Sequence, residues 1–275
     1  MKIDAHQHFW HYRAEEYPWI QAHWPIRRSF LPVDLEPLLV AAGLEGSIAV
    51  QARQTLTETR WLLDLADRSP SIKGVVGWVD LRSEHVPAQL EEFTRHPKFL
   101  GVRHVVQDEP DPEFMSGAEF QRGIGLLQQF NLAYDILIYP RQLSAAIALA
   151  ARFPEQRFVL DHLAKPLIKD RILDPWREQI RELARCPNVL CKVSGLVTEA
   201  DPAWKPDDLS PYLEVVFEAF GEDRVMYGSD WPVCLLAGEY AKVFAVVDNY
   251  IRDFSSTVRG KFFGDNAARF YRVPP

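Results

Sequence analysis

The amino-acid sequence predicts an α/β fold, a single-domain (β/α)8 TIM barrel spanning residues 1–275. Eight short runs rich in Val, Ile and Leu alternate along the chain with eight helical patterns, which is the order that this barrel requires. The runs are almost continuously apolar, as is typical of parallel strands covered on both faces. A doubly wound open sheet is the main alternative, but no GxGxxG motif follows the first run.

The predicted elements follow one another in a regular order. Pro32 and Asp34 suit the start of the first helix, and Gly43 suits a left-handed residue after its end. In the second helix, Leu62 and Ala66 are apolar at helical spacing. Strands are predicted at residues 2–8, 46–51, 75–79, 100–106, 132–139, 157–161, 189–193 and 224–227. Helices are predicted at residues 32–42, 55–68, 86–94, 118–130, 143–152, 175–185, 209–220, 240–254 and 258–271.

Composition and charge limit the classes of partner. A formal net charge of −7, with acidic and basic residues interspersed, argues against nucleic acid or an anionic membrane as a partner. The three cysteines are odd in number and form no CxxC pair, which favours a reducing compartment. No signal-peptide pattern opens the sequence, and no apolar run approaches the ~20 residues of a membrane span. We therefore expect a cytoplasmic protein that acts on a small molecule, either as a monomer or as an oligomer.

The first strand ends in two histidines, His6 and His8. Alternate side chains of a strand share a face, so both imidazoles point the same way. Such a pair is either a chelating arm for a divalent metal or a pair of proton donors aimed at one bound group. Asp4, one strand period before His6, is predicted to point inward lower in the barrel. A distant second signal is Asp230, which follows the eighth strand and therefore lies beside the first strand in a barrel.

Polar residues recur at the carboxyl-terminal ends of the predicted strands, the rim where barrel active sites lie. No comparable cluster occurs at the opposite ends of the strands. This asymmetry is hard to explain by packing and predicts a catalytic site at the rim. The residues are His6 and His8, Gln51, Arg103 and His104, Tyr139, His162, Lys192 and Ser194, and Asp230.

These motifs resemble the amidohydrolase superfamily. The shared features are His6-x-His8 on the first strand, His162 in LDHLAKP on the sixth, and Asp230 in YGSDWP on the eighth. The segments DAHQHFW, GVRHVVQDE and DHLAKP are similar to its lactonase branch, which includes L-fuconolactonase, L-rhamnonolactonase and 2-pyrone-4,6-dicarboxylate lactonase types. The resemblance covers essentially the whole chain and implies a hydrolase that opens a sugar (aldono) lactone.

The sequence departs from the binuclear metal pattern of that superfamily. A bridging Lys or Glu is expected on the fourth strand and a His on the fifth, where this chain has Arg103, His104 and Tyr139. Two metals are therefore not expected. Two alternatives stay open: one divalent metal, zinc first, on His6, His8 and Asp230, or metal-independent catalysis as in the pyrone lactonases.

The resemblance to lactonases implies a role for each of these residues in lactone hydrolysis. Asp230 activates the water, and His6, His8 and His162, or a metal, polarise the carbonyl. Arg103 and His104 are predicted to hold ring hydroxyls or a substrate carboxylate. Further substrate contacts are predicted for Gln51, Tyr139, Lys165, Trp24 and Trp231.

Each of these interpretations has alternatives. His104 is alternatively a hydrogen-bonded core histidine, Lys165 a solvated charge or a partner of Asp161, and Lys192 a paired strand residue. The main functional alternative is a zinc-dependent deaminase, amide hydrolase or decarboxylase on the same barrel. A barrel that only binds a ligand is the other.

Overall fold

The computed structural model describes residues 1–274, in which eight parallel strands form one sheet in sequence order. The strands are β1 Ile3–Gln7, β2 Gly46–Val50, β3 Ile72–Gly77, β4 Phe99–His104, β5 Ala133–Ile136, β6 Phe158–Leu160, β7 Val189–Val193 and β8 Val225–Tyr227. All eight predicted strands are present, although most are shorter than predicted.

The sheet closes on itself between β1 and β8. The backbone N–H of His8 donates to the carbonyl of Trp231 at 2.7 Å, and that of Asp230 donates to the carbonyl of His6 at 2.9 Å. A parallel bridge also joins Gln7 to Trp231. The predicted (β/α)8 barrel is confirmed, and its closing seam carries His6, His8 and Asp230.

The helices surround this barrel. They are α1 Pro32–Ala41, α2 Leu56–Arg68, α3 Val86–Phe93, α4 Ala118–Leu127, α5 Leu143–Arg152, α6 Trp176–Leu183, α7 Pro206–Phe220, α8 Tyr240–Tyr250, α9 Ser256–Gly260 and α10 Asn266–Tyr271. Gly43 has a φ of 69° after α1, as predicted. Thr55 caps α2 by accepting a hydrogen bond from the backbone N–H of Glu58 at 3.1 Å. Among residues 1–274, no helix combines the length and apolar character needed to cross a membrane.

Two larger departures from the predicted elements and one wrong orientation bear on the site. β5 ends at Ile136 rather than Tyr139, and Pro140 then starts a short 3-10 turn. The closing helix is interrupted at Gly264, where an added Cβ would collide with the carbonyl of Met1. Asp4 faces the helix layer, where it accepts a hydrogen bond from Tyr240 at 3.1 Å, because the pairing of β1 shifts register between Asp4 and Gln7.

The barrel interior is apolar at its amino-terminal end and charged above it. Inward-facing Ile3, Ile48 and Met226 pack with Phe270 and Tyr271 of α10, which closes that end. Further along the strands, the inward positions hold the fully buried Asp135, Asp161 and Lys192. A floor of apolar contacts therefore supports a polar layer just below the rim.

Candidate active site

Three side chains from the closing seam converge at the rim. Nε2 of His6 lies 3.3 Å from Nε2 of His8. Oδ1 of Asp230 lies 3.4 Å from Nε2 of His8 and 3.9 Å from Nε2 of His6. All three residues are at most 4% exposed. Gln7, between the two histidines, turns the other way and donates to Ser47 at 3.0 Å, so both imidazoles share the inner face.

The local sequence after β8 explains how Asp230 reaches the histidines. Gly228 leaves room for His6, since an added Cβ there would lie 2.6 Å from the Cβ of His6. Ser229 accepts a hydrogen bond from the backbone N–H of Trp231 at 3.0 Å, which tightens the turn. Asp230 itself is left-handed, with φ of 57°, a conformation that Asp tolerates better than most residues.

The three donors have the chemistry and spacing of a divalent metal site. Catalytic zinc commonly has histidine nitrogens and a carboxylate as ligands in a tetrahedron, with bonds of about 2.0–2.1 Å, which places neighbouring donors about 3.3–3.4 Å apart. The distances from His8 to His6 and to Asp230 match that spacing. Nδ1 of His8 lies 2.7 Å from the carbonyl of Val50, which holds its proton on Nδ1 and leaves Nε2 free. The cluster can therefore hold a metal ion.

His162 lies on the other side of Asp230. Its Nε2 is 3.8 Å from Oδ1 of Asp230, and its Nδ1 is 2.8 Å from Oγ of Ser194. His162 belongs to the 3-10 turn Asp161–Ala164, in which it has a left-handed φ of 53°. Gly195 packs against its ring, where an added Cβ would come within 2.7 Å. The predicted fourth member of the site therefore joins the other three.

A buried network of charges lies beneath His6. Nζ of Lys192 is 2.5 Å from Asp135, 3.1 Å from Asp161 and 3.1 Å from Nδ1 of His6. Arg103 contacts Asp161 from the other side at 3.1 Å. The sequence analysis assigned no site role to Asp135 or Asp161. Both residues could have been found from the sequence, because each is a carboxylate at an inward position of an otherwise apolar strand.

Burial sets the protonation of the site. It lowers the pKa of His6 well below its usual value and that of His162 to about 4, although nearby carboxylates oppose both shifts. Burial alone would raise the pKa of Asp230, but the electrostatic interaction of its carboxylate with the neighbouring His162 and the hydrogen bond to His8 lower it below its usual value. At neutral pH the site therefore presents neutral His6 and His162 beside an ionised Asp230.

Arg103 is engaged on several sides. Its guanidinium contacts Asp161, lies 3.3 Å from Nε2 of His6 and donates to the carbonyl of Gln51. The side chain of Gln51 donates in return to the carbonyl of Arg103 at 3.2 Å. Arg103 is only 3% exposed, so this geometry does not favour a two-pronged contact with a substrate carboxylate.

The contacts of His104 are with residues other than His6, His8 and Asp230. Its Nε2 lies 2.7 Å from Glu109, its Nδ1 lies 3.4 Å from Nε1 of Trp78, and its ring stacks on Phe114 at 5.0 Å between centroids. Burial lowers the pKa of His104, against the effect of Glu109. The structure thus agrees with the hydrogen-bonded core histidine rather than with a substrate contact.

The remaining predicted residues lie at or behind the rim. Tyr139 is 36% exposed, and Nζ of Lys165 lies 5.3 Å from the centre of its ring. Lys165 pairs with Glu199 at 3.7 Å, a partner that the sequence analysis did not identify. Trp231 is buried against Phe9 and Phe30, and Trp24 packs beside Trp19 and His23 in the loop after β1, so both tryptophans have packing partners.

Comparisons with known proteins show the family of this chain. The family model described as amidohydrolase matches residues 3–273. An L-fucono-1,5-lactonase of Burkholderia multivorans is 44% identical over 100% of this chain and 97% of its own length. An L-fucono-1,5-lactonase of Burkholderia ambifaria is 41% identical over 99% of this chain and 96% of its own. A crystal structure of an amidohydrolase from Burkholderia multivorans with bound zinc has a TM-score of 0.96 and 44% identity, with full coverage of both chains.

Proposed function

Because this chain belongs to the amidohydrolase family and is similar along its whole length to two L-fucono-1,5-lactonases, we propose that it hydrolyses a sugar lactone, with L-fucono-1,5-lactone as the first candidate. The product is the open-chain hydroxy acid. The observation that carries the proposal is the convergence of the carboxylate of Asp230 with the imidazoles of His6, His8 and His162 at the barrel rim, where all four residues are at most 4% exposed. That arrangement supplies both a base and hydrogen-bond donors.

Asp230 is the proposed general base. It accepts a proton from water as the water oxygen bonds to the lactone carbonyl carbon. When the tetrahedral intermediate collapses, the ring C–O bond breaks and Asp230 returns the proton to the departing alkoxide oxygen. A carboxylate suits both steps, because the low pKa of Asp230 keeps it ready to accept a proton at neutral pH.

His162 is the proposed donor to the carbonyl oxygen. We propose that the hydroxyl of Ser194, 2.8 Å away, donates to Nδ1 of His162, which places the ring proton on Nε2, the atom beside Asp230. A donor aimed at the developing oxyanion typically contributes about 3–4 kcal/mol to the transition state. The low pKa of His162 keeps it a neutral donor rather than a competing cation.

We also propose that His6, His8 and Asp230 form a site for one zinc ion. When bound there, zinc would supply Lewis acidity and lower the pKa of a coordinated water. The spacing of the donors and the hydrogen bond from Nδ1 of His8 to Val50 support this assignment. Asp161, which could join His6 and His162 around an ion, already has the cationic Arg103 and Lys192 at 3.1 Å, and this favours His6, His8 and Asp230 as the site of a single ion.

A panel of aldonolactones, followed by pH-indicator acid release and corrected for spontaneous opening, tests the proposal. The protein is assayed as isolated, after metal removal and after zinc is restored, and Asp230→Asn serves as the matched inactive variant. We expect acid release from L-fucono-1,5-lactone that Asp230→Asn abolishes. Turnover of an amide or amine without acid release from any lactone would overturn the proposed lactonase function.

Elemental analysis tests the metal assignment independently of activity. We expect one zinc ion per chain in the unaltered protein and none above background in His8→Ala. Equal zinc content in both proteins would exclude this site.

A further inference from the structure

One charged pair at the rim is not used by the chemistry above. Lys165 follows the 3-10 turn after β6, and Glu199 ends the 3-10 turn Val197–Glu199 after β7. The side chains are 18% and 23% exposed, and Nζ of Lys165 lies 3.7 Å from Oε1 of Glu199. That distance is longer than a normal hydrogen bond. Two partly desolvated charges therefore face each other without satisfying each other's hydrogen-bonding capacity.

Other basic residues of this region are held more tightly. Lys192 lies 2.5 Å from Asp135, and Arg53 lies 2.6 Å from Glu16. These two pairs lie at hydrogen-bond distance, unlike Lys165 and Glu199. The pair of Lys165 and Glu199 differs because a polar ligand can replace a long contact with short ones at little cost.

The backbone fixes the position of both side chains. Residues 162–165 all have positive φ, between 51° and 58°, which is costly for residues other than glycine. Nε1 of Trp176 holds this turn by donating to the carbonyl of Leu163 at 2.7 Å. The backbone N–H of Lys169 donates to the carbonyl of Glu199 at 3.0 Å, which joins the two rim loops. Left-handed geometry thus presents His162 to Asp230 and Lys165 to Glu199 from one short turn.

We propose that Lys165 and Glu199 together bind two neighbouring hydroxyl groups of the lactone ring and so determine selectivity for hydroxylated, uncharged lactones. This inference rests on the proposed lactonase function. One hydroxyl donates to the carboxylate of Glu199 while the other accepts from the ammonium of Lys165. A lactone bearing carboxylates can pair with Lys165 but also meets two negative charges, Glu199 and Asp230, which repel it.

The electrostatics of Glu199 agree with this position. Burial raises the pKa of its carboxyl group, Lys165 lowers it and the charge of Asp230 raises it. Glu199 is therefore partly desolvated and close enough to Asp230 for the charge of that carboxylate to raise its pKa.

The test compares kcat/KM for L-fucono-1,5-lactone with that for δ-valerolactone, a six-membered lactone without hydroxyl groups. The unaltered protein should prefer the hydroxylated ring. Glu199→Gln and Lys165→Met should each reduce that preference by about 10- to 100-fold, mainly through KM, the range expected for a lost charged hydrogen bond. Arg171→Met is the matched control, because it removes an exposed ion pair with Asp208, and its preference should match that of the unaltered protein.

Thermal unfolding confirms that each variant is folded. A double variant that loses no more preference than either single variant would support joint recognition of the hydroxyls. Equal losses on both lactones, or no loss on either, would overturn the inference while leaving the lactonase function intact. Absence of acid release from both lactones in the unaltered protein would overturn the proposed function itself, and this inference with it.

Discussion

Asp4 and Ser229, 225 residues apart in sequence, are joined by a hydrogen bond of 2.9 Å from the backbone N–H of Ser229 to Oδ1 of Asp4. The same oxygen accepts from the backbone N–H of His6 at 3.2 Å. Asp4 therefore links the strand that carries His6 to the turn that carries Asp230. The geometry of the candidate site therefore depends on a carboxylate of β1 whose side chain faces the helix layer rather than the barrel interior.

Asp4→Ala should lower both stability and kcat. The substitution leaves two buried backbone N–H groups without an acceptor, at about 1–3 kcal/mol each. Urea unfolding and steady-state kinetics measure the two effects. Tyr240→Phe is the control, because it removes only the bond to Oδ2 and should lower stability by about 0.5–1.5 kcal/mol with kcat retained. Full activity in Asp4→Ala would refute the linking role.

Lys192→Met should destabilise the fold strongly. Asp135 and Asp161 are fully buried around the ammonium group, and Tyr271 of α10 contacts Asp135 at 2.8 Å. Removing one partner of a buried ion pair typically costs about 3–5 kcal/mol, because the remaining charge is left uncompensated.

Lys261→Met provides the comparison in the same urea titration. Lys261 pairs with the exposed Glu222 and Asp223 at 2.6 and 2.8 Å, and its loss should have little measurable effect. Similar unfolding midpoints for both lysine variants would contradict the importance of the buried network.

The barrel and the convergence of His6, His8, His162 and Asp230 could be predicted from the sequence because they depend on local patterns, whereas their catalytic roles stay predictions. Strand runs, His6-x-His8 and the turn carrying Asp230 each reflect a short segment. The direction of the Asp4 side chain could not be predicted, because a register shift in β1 depends on pairing with residues of β2 that lie 42 or 43 positions further along the chain. The pairing of Lys165 with Glu199 likewise depends on how two loops meet at the rim.

The free energy of unfolding should fall as pH rises towards 7, and this pH dependence should be absent in Glu58→Gln. Glu58 is 3% exposed and accepts from the backbone N–H groups of Ala52 and Arg53 at 3.0 and 2.7 Å. Burial raises its pKa to about 7, although these hydrogen bonds oppose the shift. Between pH 4.5 and 7 the folded protein holds a proton that the unfolded chain has released, so rising pH favours unfolding.

The size of this effect is about 3 kcal/mol, from the pKa difference at 1.36 kcal/mol per unit. Urea unfolding at intervals from pH 5 to 8 measures it. The free energy of unfolding of the unaltered protein should decline relative to that of Glu58→Gln across this range. Parallel curves for the two proteins would show that Glu58 titrates normally.

The acid limit of activity should lie near pH 4 rather than near the usual histidine pKa of about 6.5. Burial lowers the pKa of His162 to about 4, and the pKa of Asp230 is also below its usual value. Above pH 5 both groups therefore keep the protonation states that lactone opening requires, a neutral donor and an ionised base. Product formation followed by NMR between pH 3.5 and 8 measures kcat/KM without a pH indicator, after subtraction of spontaneous opening.

His162→Gln should lower kcat by about 100- to 1000-fold, as expected for loss of an oxyanion donor, and should shift the acid limit, because Gln does not titrate. A limit near 6.5 in the unaltered protein would mean that His162 is exposed to solvent during turnover and that burial does not set its charge.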